Sequence, residues 1–253
     1  MKFVVCIKHV PDTEAKVKVA ADGVSLDEGA VSKWVISPYD EYALEQALLF
    51  REQHEGEVVL MSAGRDAAQA SLRQGLAMGA DRAVLVKHDS VDGADGLTRA
   101  RVLAEAVKEE SPDMVFVGKY GVGTDESQTG PMMAELLEWP HAAAISKIEL
   151  EEGAFTVERD IEGAVEVQKG DLPAVFTCEK GLNEPRYPSL KGIMQAKKKP
   201  IDTKTPSDPG SSLLVWDSME LPPARAAGRI IEGTPQEAAA ELVRLLNEEK
   251  KVI

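Results

Sequence analysis

Apolar residues fall into continuous short runs in the first half of this chain and into alternating ones later. Phe3–His9, Glu57–Met61, Arg82–Val86 and Asp113–Val117 are runs of strand length, and an unbroken apolar run marks a strand buried on both faces. Between them the spacing turns helical. Tyr39, Ala43, Ala47 and Phe50 line one face of a segment that opens at Pro38, whose fixed φ suits a first helical turn. Asp66 can cap the next helix and Gly79 can end it. A stripe of Leu97, Ala100, Leu103, Ala104 and Val107 follows Asp95. That helix stops before Ser111-Pro112, because the residue preceding proline avoids helical ψ. A glycine-bearing loop then leads to a helix over Thr129–Leu137. Val17–Leu26 alternates around Gly23, which predicts a small hairpin.

Alternating strands and helices of these lengths imply parallel strands joined by right-handed crossovers. The expected fold is α/β, a doubly wound and mostly parallel sheet with its first and fourth strands side by side at a topological switch point. The pattern changes near Pro140. Ile145–Leu150, Phe155–Arg159, Ala164–Lys169 and Ala174–Thr177 read as short alternating strands with turns at Gly153 and Gly163, expected as antiparallel additions to the sheet. Gly181–Lys199 is irregular and ends in a basic run. Ile201–Gly210, rich in proline, reads as a linker, and Leu213–Trp216 as one more strand. Thr234-Pro235-Gln236-Glu237 is a capping box with proline at the first helical position. The expected division is a nucleotide-binding α/β domain over 1–200 and a C-terminal arm over 201–253, an arm with little core of its own being suited to clamp another subunit.

Charge narrows the range of partners. The 253 residues carry a formal net charge of -14, which favours solubility and argues against nucleic acid. No apolar stretch approaches the roughly 20 residues of a membrane span, and no leader is visible before Phe3, so the chain reads as cytoplasmic, without direct membrane insertion. Cys6 and Cys178, the only cysteines, sit in apolar runs and read as buried reduced thiols. His9, His54, His88 and His141 are scattered, with no metal-binding spacing. No nucleophile elbow or acid/base pair stands out, so no catalytic site is expected.

The most informative stretch is Gly118–Ala134, GKYGVGTDESQTGPMMA, running from the end of a buried strand into a helix start. Gly121 and Gly123 allow close backbone approach, Ser127 and Thr129 offer hydroxyls, Gly130 exposes its amide, and Pro131 suits the first turn. Free N–H groups and the helix dipole suit phosphate there, though the stretch fits an ordinary capped loop equally well. It is neither a Walker motif nor a GxGxxG. Ser37-Pro38-Tyr39-Asp40 opens a helix at the same sheet edge, where capping by Ser37 is the simpler role. Ser62-Ala63-Gly64 leaves room for a flat ring.

Several runs together resemble the electron-transfer flavoprotein beta subunit: VVCIKHVPD, SPYDEYALEQAL, GLAMGADRAV, VGKYGVGTDESQTGPMMAELLEWP, VERDIEGAVEV, LPAVFTCEKGLNEPRYPSLKGIMQAKKKP and PPARAAGR. The match is colinear over nearly the whole chain. The resemblance implies an adenine nucleotide alpha hydrolase-like fold, and a heterodimer with an alpha subunit that supplies most contacts to a shared FAD. It also implies a structural AMP in this chain. Electrons would come from flavin dehydrogenases, notably acyl-CoA dehydrogenases, and pass to a membrane quinone oxidoreductase.

By the same resemblance, AMP contacts fall on Cys6, Ser37, Pro38, Tyr39, Asp40 and Ala63. They continue over Gly123, Thr124, Asp125, Glu126, Ser127, Gln128, Thr129, Gly130, Pro131, Met132, Met133 and Ala134. These are the three regions that the residues themselves single out. The Gly-Pro after Gln128-Thr129 is shared with bifurcating members, which hold a second FAD in place of AMP, whereas Thr129 favours AMP. Thr13 stands where some members carry an aromatic ring beside the flavin. The family's recognition loop corresponds to Gly181–Lys199, with Leu190 as its anchor and Ile193 and Met194 nearby. Lys197, Lys198 and Lys199 are either steering charges for a partner's carboxylates or a solvated surface. A nucleotide-sensing module remains a weaker alternative.

Overall fold

The computed structural model describes residues 1–88, 91, 93–208, 210–225 and 227–253. The described chain forms two compact units, Met1–Met219 and Glu220–Ile253.

The first unit is built on a seven-stranded parallel sheet. In chain order its strands are β1 (Lys2–Cys6), β4 (Glu57–Gly64), β5 (Arg82–Lys87), β6 (Met114–Gly118), β7 (His141–Ile145), β11 (Ala174–Cys178) and β12 (Ile201–Lys204). In space the order is β12-β5-β4-β1-β6-β11-β7. So β1 lies between β4 and β6, and the expected switch point beside β1 and β6 is present. Alternate residues of β1 feed two cores. Phe3 and Val5 meet the side carrying α1 (Pro38–His54) and α2 (Gln69–Met78). Val4 and Cys6 meet the side carrying α3 (Gly96–Glu110) and α4 (Thr129–Leu137). Burial on both faces is what an unbroken apolar run demands.

The antiparallel additions differ from the expectation. β8 (Lys147–Glu151), β9 (Ala154–Ile161) and β10 (Ala164–Asp171) form a separate three-stranded sheet. β11 enters the main sheet in parallel, between β6 and β7. All five of its residues are buried, so Ala174–Cys178 belongs with the continuous runs and not with the alternating ones. β2 (His9–Pro11) and β3 (Trp34–Ile36) pair antiparallel. The hairpin expected over Val17–Leu26 reduces to one bridge, Val19 to Leu26, around Gly23 at φ 73°.

Three local expectations are overturned. Asp66 does not cap α2. It opens a 3-10 turn, Asp66–Ala68, that delays the helix to Gln69, and its carboxylate meets Lys87 at 2.6 Å. Ile201–Lys204 is no linker but strand β12, parallel to β5; the carbonyl of Pro200 accepts from Ala83 N, and an edge position tolerates proline. Leu213–Trp216 forms no strand, because Asp95 takes its donors: Oδ2 accepts from the amides of Leu213 at 2.6 Å and Leu214 at 3.3 Å. Asp95 also caps α3, accepting from Thr98 N.

The first unit therefore extends through Met219, past the expected boundary at 200. In the second, α6 (Pro235–Leu245) starts on the expected capping box of Thr234 and Glu237. No described helix is long and apolar enough to cross a membrane.

Candidate functional site

The site lies at the carboxyl ends of β1, β4 and β6. Asp40, in the first turn of α1, ties two of these ends together. Its Oδ2 accepts from Lys8 N at 2.7 Å and its Oδ1 from Gly118 N at 2.9 Å. Gly118 is required, since a Cβ there would stand 2.5 Å from Asp40 Oδ1 and 2.7 Å from Tyr39 Cβ. Burial pushes the Asp40 carboxyl up to about 7, against the pull of the two backbone donors. Ser37 is buried but makes no cap hydrogen bond to α1. Its Oγ instead accepts from Val122 N at 3.2 Å, fastening the loop that follows β6. Tyr39 packs on Tyr120 with ring centroids 4.4 Å apart and hydroxyls 3.1 Å apart.

That loop carries the polar groups. Lys8 reaches from the end of β1 to the carbonyl of Val122 at 3.3 Å and Thr124 Oγ1 at 3.1 Å. Its ammonium is pushed below its ordinary range, first by burial and then by Arg99. Arg99, from α3, pairs with Glu126 at 3.3 Å. Asp125 and Ser127 both take positive φ, 50° and 55°, a backbone strain that clusters at ligand loops. Among the described residues, no group accepts from the amides of Glu126, Ser127, Gln128, Thr129 or Gly130. Donors placed this way, at the positive end of α4, have the geometry and polarity that suit an anion. Gly130 seats that end on the sheet, its missing Cβ being 2.6 Å from Thr177 Cγ2 and 2.9 Å from Val117 Cγ2.

These groups line a narrow cleft of about 90 Å3, with Cys6, Ala63 and Val117 deeper in it. Beside it lies a wider cavity of about 930 Å3, bounded in part by Pro11, Trp34, Arg65 and Trp216. Lys8, Ala63, Arg99 and Thr124 line both. The cleft alone is too small for a nucleotide. With its neighbour, the space reaches the roughly 300–1,000 Å3 of small-molecule sites.

Of the residues singled out from sequence, Cys6, Asp40, Ala63, Thr124, Glu126, Ser127, Gln128, Thr129 and Gly130 come together around the cleft. Gly123, at φ 98°, lines the wider cavity. Ser37, Pro38 and Tyr39 support the site from the start of α1, and Asp125 is exposed on the loop. Pro131 and Met132 are half-buried, while Met133 and Ala134 are buried in the core and line neither space. The Cys6 thiol, pushed well up by burial, is a wall and not a nucleophile. Sequence reasoning missed Lys8, Arg99 and Tyr120. Lys8 was findable as a cation at the end of a switch-point strand. Arg99 carries no local signal.

The electron transfer flavoprotein domain model matches residues 29–209. An electron transfer flavoprotein subunit beta of Bacillus subtilis is 40% identical over 260 aligned positions, covering 100% of both chains. The subunit beta of Mus musculus is 37% identical over 243, covering 92% of this chain and 94% of its own. This chain belongs to the electron transfer flavoprotein subunit beta family.

The Gly181–Lys199 segment is built differently. Arg186 forks onto Glu45, with Nε and Nη2 both at 2.8 Å from its carboxylate, and reaches Glu52 at 2.6 Å. Asn183 donates to the carbonyl of Tyr42 at 3.0 Å. Ser189 caps α5 (Leu190–Ala196) by accepting from Gly192 N. Leu190 is 84% exposed and Met194 71%, with Ile193 exposed beside them. The three lysines are not equivalent. Lys197 and Lys198 are exposed, but Lys199 Nζ turns inward to the carbonyls of Leu76, Gly79 and Ala80. It is no free steering charge.

Proposed function

We propose that this chain is the beta subunit of a heterodimeric electron carrier in the cytoplasm, paired with an alpha subunit. It holds a structural AMP and helps position the FAD that the alpha subunit mostly binds. When bound, the FAD supplies the electron-carrying chemistry. The chain itself contributes binding and orientation and no independent catalytic site. Electrons come from flavin dehydrogenases such as acyl-CoA dehydrogenases and leave to a membrane quinone oxidoreductase. The C-terminal arm packs on the alpha subunit.

One observation carries the nucleotide part of this reading. Five consecutive amides, Glu126 to Gly130, find no acceptor among the described residues at the start of α4, where Lys8 and Arg99 supply positive charge. Free amides at a helix start, beside the positive end of its dipole, are ready donors for an anion, and a phosphate on this cradle satisfies them. The wider cavity beside Ala63 has room for the ribose and base. For docking, Leu190, Ile193 and Met194 form the apolar contact. Burying Leu190 would contribute about 1.5–3 kcal/mol, which suits a transient complex.

A second reading places FAD in this cleft, as in bifurcating members. The continuity of cleft and cavity through Lys8, Ala63, Arg99 and Thr124 favours it, because a dinucleotide needs both spaces. Denaturing the purified heterodimer separates the readings. One FAD and one AMP per heterodimer is the expected result. Two FAD and no AMP would establish the second reading, and FAD alone in a single copy would remove both.

A further inference from the structure

The docking helix α5 has too little buried surface to hold itself in place. It has seven residues, well short of the length at which an isolated helix is stable. Among them only Ala196 is buried, while Leu190, Ile193 and Met194 face outward. Apolar packing therefore does not fix its orientation.

A reciprocal pair of cations does. Arg73, on α2, donates through Nη1 to the carbonyls of Ala196 and Lys199, both at 2.6 Å. Lys199, just past α5, donates through Nζ to the carbonyls of Leu76 at 3.2 Å and Gly79 at 3.4 Å, and also to Ala80. Each helix ends in carbonyls without intrahelical partners, and each end receives a positive charge from the other element, the sign that its dipole favours. The contact is close. A Cβ at Gly192 would lie 2.3 Å from the carbonyl oxygen of Ala77, so only glycine lets α5 lie against α2. Burial pushes the Lys199 ammonium below its ordinary range, in keeping with a charge spent on carbonyls and not offered to solvent.

We propose that Arg73 and Lys199 are positioning residues whose crossed contacts between α2 and α5 pre-set the docking helix and so govern the affinity for the electron-donating dehydrogenase. The inference rests on the proposed docking role of Leu190. A pre-set helix presents its apolar side chains without first losing the entropy of ordering them. Lys199 then acts through the geometry of Leu190, not by touching the partner.

The test uses the FAD-loaded heterodimer with a flavin dehydrogenase as electron donor. Lys199→Met should raise the KM for the carrier about five-fold, with kcat unchanged, because only pre-organisation is lost. Amide exchange over Leu190–Lys199 should quicken in the same variant, and flavin content should stay at wild-type level. Lys199→Arg should restore KM to within about two-fold, since it keeps a cation in reach of the carbonyls. Arg73→Gln should repeat the effect from the other side of the contact. Leu190→Ala serves as the reference. If it raises KM while Lys199→Met and Arg73→Gln leave KM and exchange unchanged, the positioning role is overturned and docking through Leu190 stands. If Leu190→Ala itself leaves KM unchanged, the docking reading falls and this inference with it. A loss of flavin content and thermal stability in step with KM in both clasp variants would overturn it as well, by showing a general structural role.

Discussion

The cleft edge and the 181–199 segment solve opposite problems with the same kinds of residue. At the cleft, the loop after β6 leaves a row of amides unpaired among the described residues and brings Lys8 and Arg99 beside them. In the segment, Arg186, the Asn183 amide nitrogen and Lys199 find partners within the chain, Arg73 reaches in from α2, and the apolar side chains of Leu190 and Met194 face solvent. One region leaves backbone donors that the proposed nucleotide would satisfy from outside. The other directs most of its polar groups inward and leaves an apolar surface exposed. The contrast teaches that exposure alone does not identify a binding surface. Which groups remain unsatisfied tells a small polar ligand from a protein partner.

The sharpest way to break the comparison is to disrupt the internal ion pairing of the segment. Glu45 is buried and meets Arg186 in a two-pronged pair. Removing the arginine strands a buried carboxylate. Arg186→Ala should cost about 3 kcal/mol, the low end for a broken buried pair, because Arg186 itself is one-third exposed. A urea titration measures the loss. Nucleotide retained in the heterodimer should be unaffected. A loss of nucleotide in parallel would show that the two regions are not independent.

Gly130→Val attacks the other side. The added side chain would meet Thr177 and Val117, both held in the sheet, so overpacking should cost about 2 kcal/mol and displace the amides at the start of α4. The expected result is a lower melting temperature, loss of the bound nucleotide, and an unchanged KM for the dehydrogenase in whatever protein retains flavin. Retention of nucleotide would show that these amides do not bind it.

Much of the cleft was legible because its parts lie at strand ends and helix starts, where φ constraints and free donors leave a mark on sequence. Gly118, Gly123 and Gly130 are such marks. Arg99 and Glu126 were not legible as a pair, because only the crossover between β5 and β6 brings α3 beside that loop. Ser37 was misread for a related reason. Its position before Pro38 spells a cap, but the nearer donor in space is Val122 N, far along the chain. The fold shows the same limit. β1, β4, β5 and β6 follow from local runs, whereas the insertion of β11 between β6 and β7 depends on pairing that no local pattern encodes. Lys199 reads as one of three equal lysines until α2 supplies the carbonyls that single it out.

Acidity provides a subtler contrast. The Asp40 carboxyl lies at about 7 in the folded protein against an ordinary value of 3.8. The folded state thus favours its protonated form. Its contribution to stability is present below about pH 4 and is lost as pH rises towards 7, at no more than about 1.4 kcal/mol per pH unit. Glu52, beside Arg186, is held below its ordinary value, so its smaller contribution is present at neutral pH and lost as pH falls. Through Asp40, stability falls as pH rises, and through Glu52 it falls as pH drops. NMR titration of the Asp40 carboxyl should give a midpoint near 7; a midpoint near 4 would mean that the two backbone donors outweigh burial.

The smallest effect separates the two kinds of lysine. Lys197 and Lys198 are exposed beside the apolar residues of α5, so their field can act only on encounter, over about a Debye length of 10 Å at 0.1 M salt. Changing both to glutamine should lower the association rate with the dehydrogenase about three-fold at low ionic strength and leave it unchanged at high salt. Lys199→Gln should behave the other way, weakening affinity by the same factor at every ionic strength, because its ammonium serves carbonyls within the chain. If Lys199→Gln also flattens the salt dependence, its charge reaches the partner, and the division between internal polar support and outward apolar contact fails where it was drawn most finely.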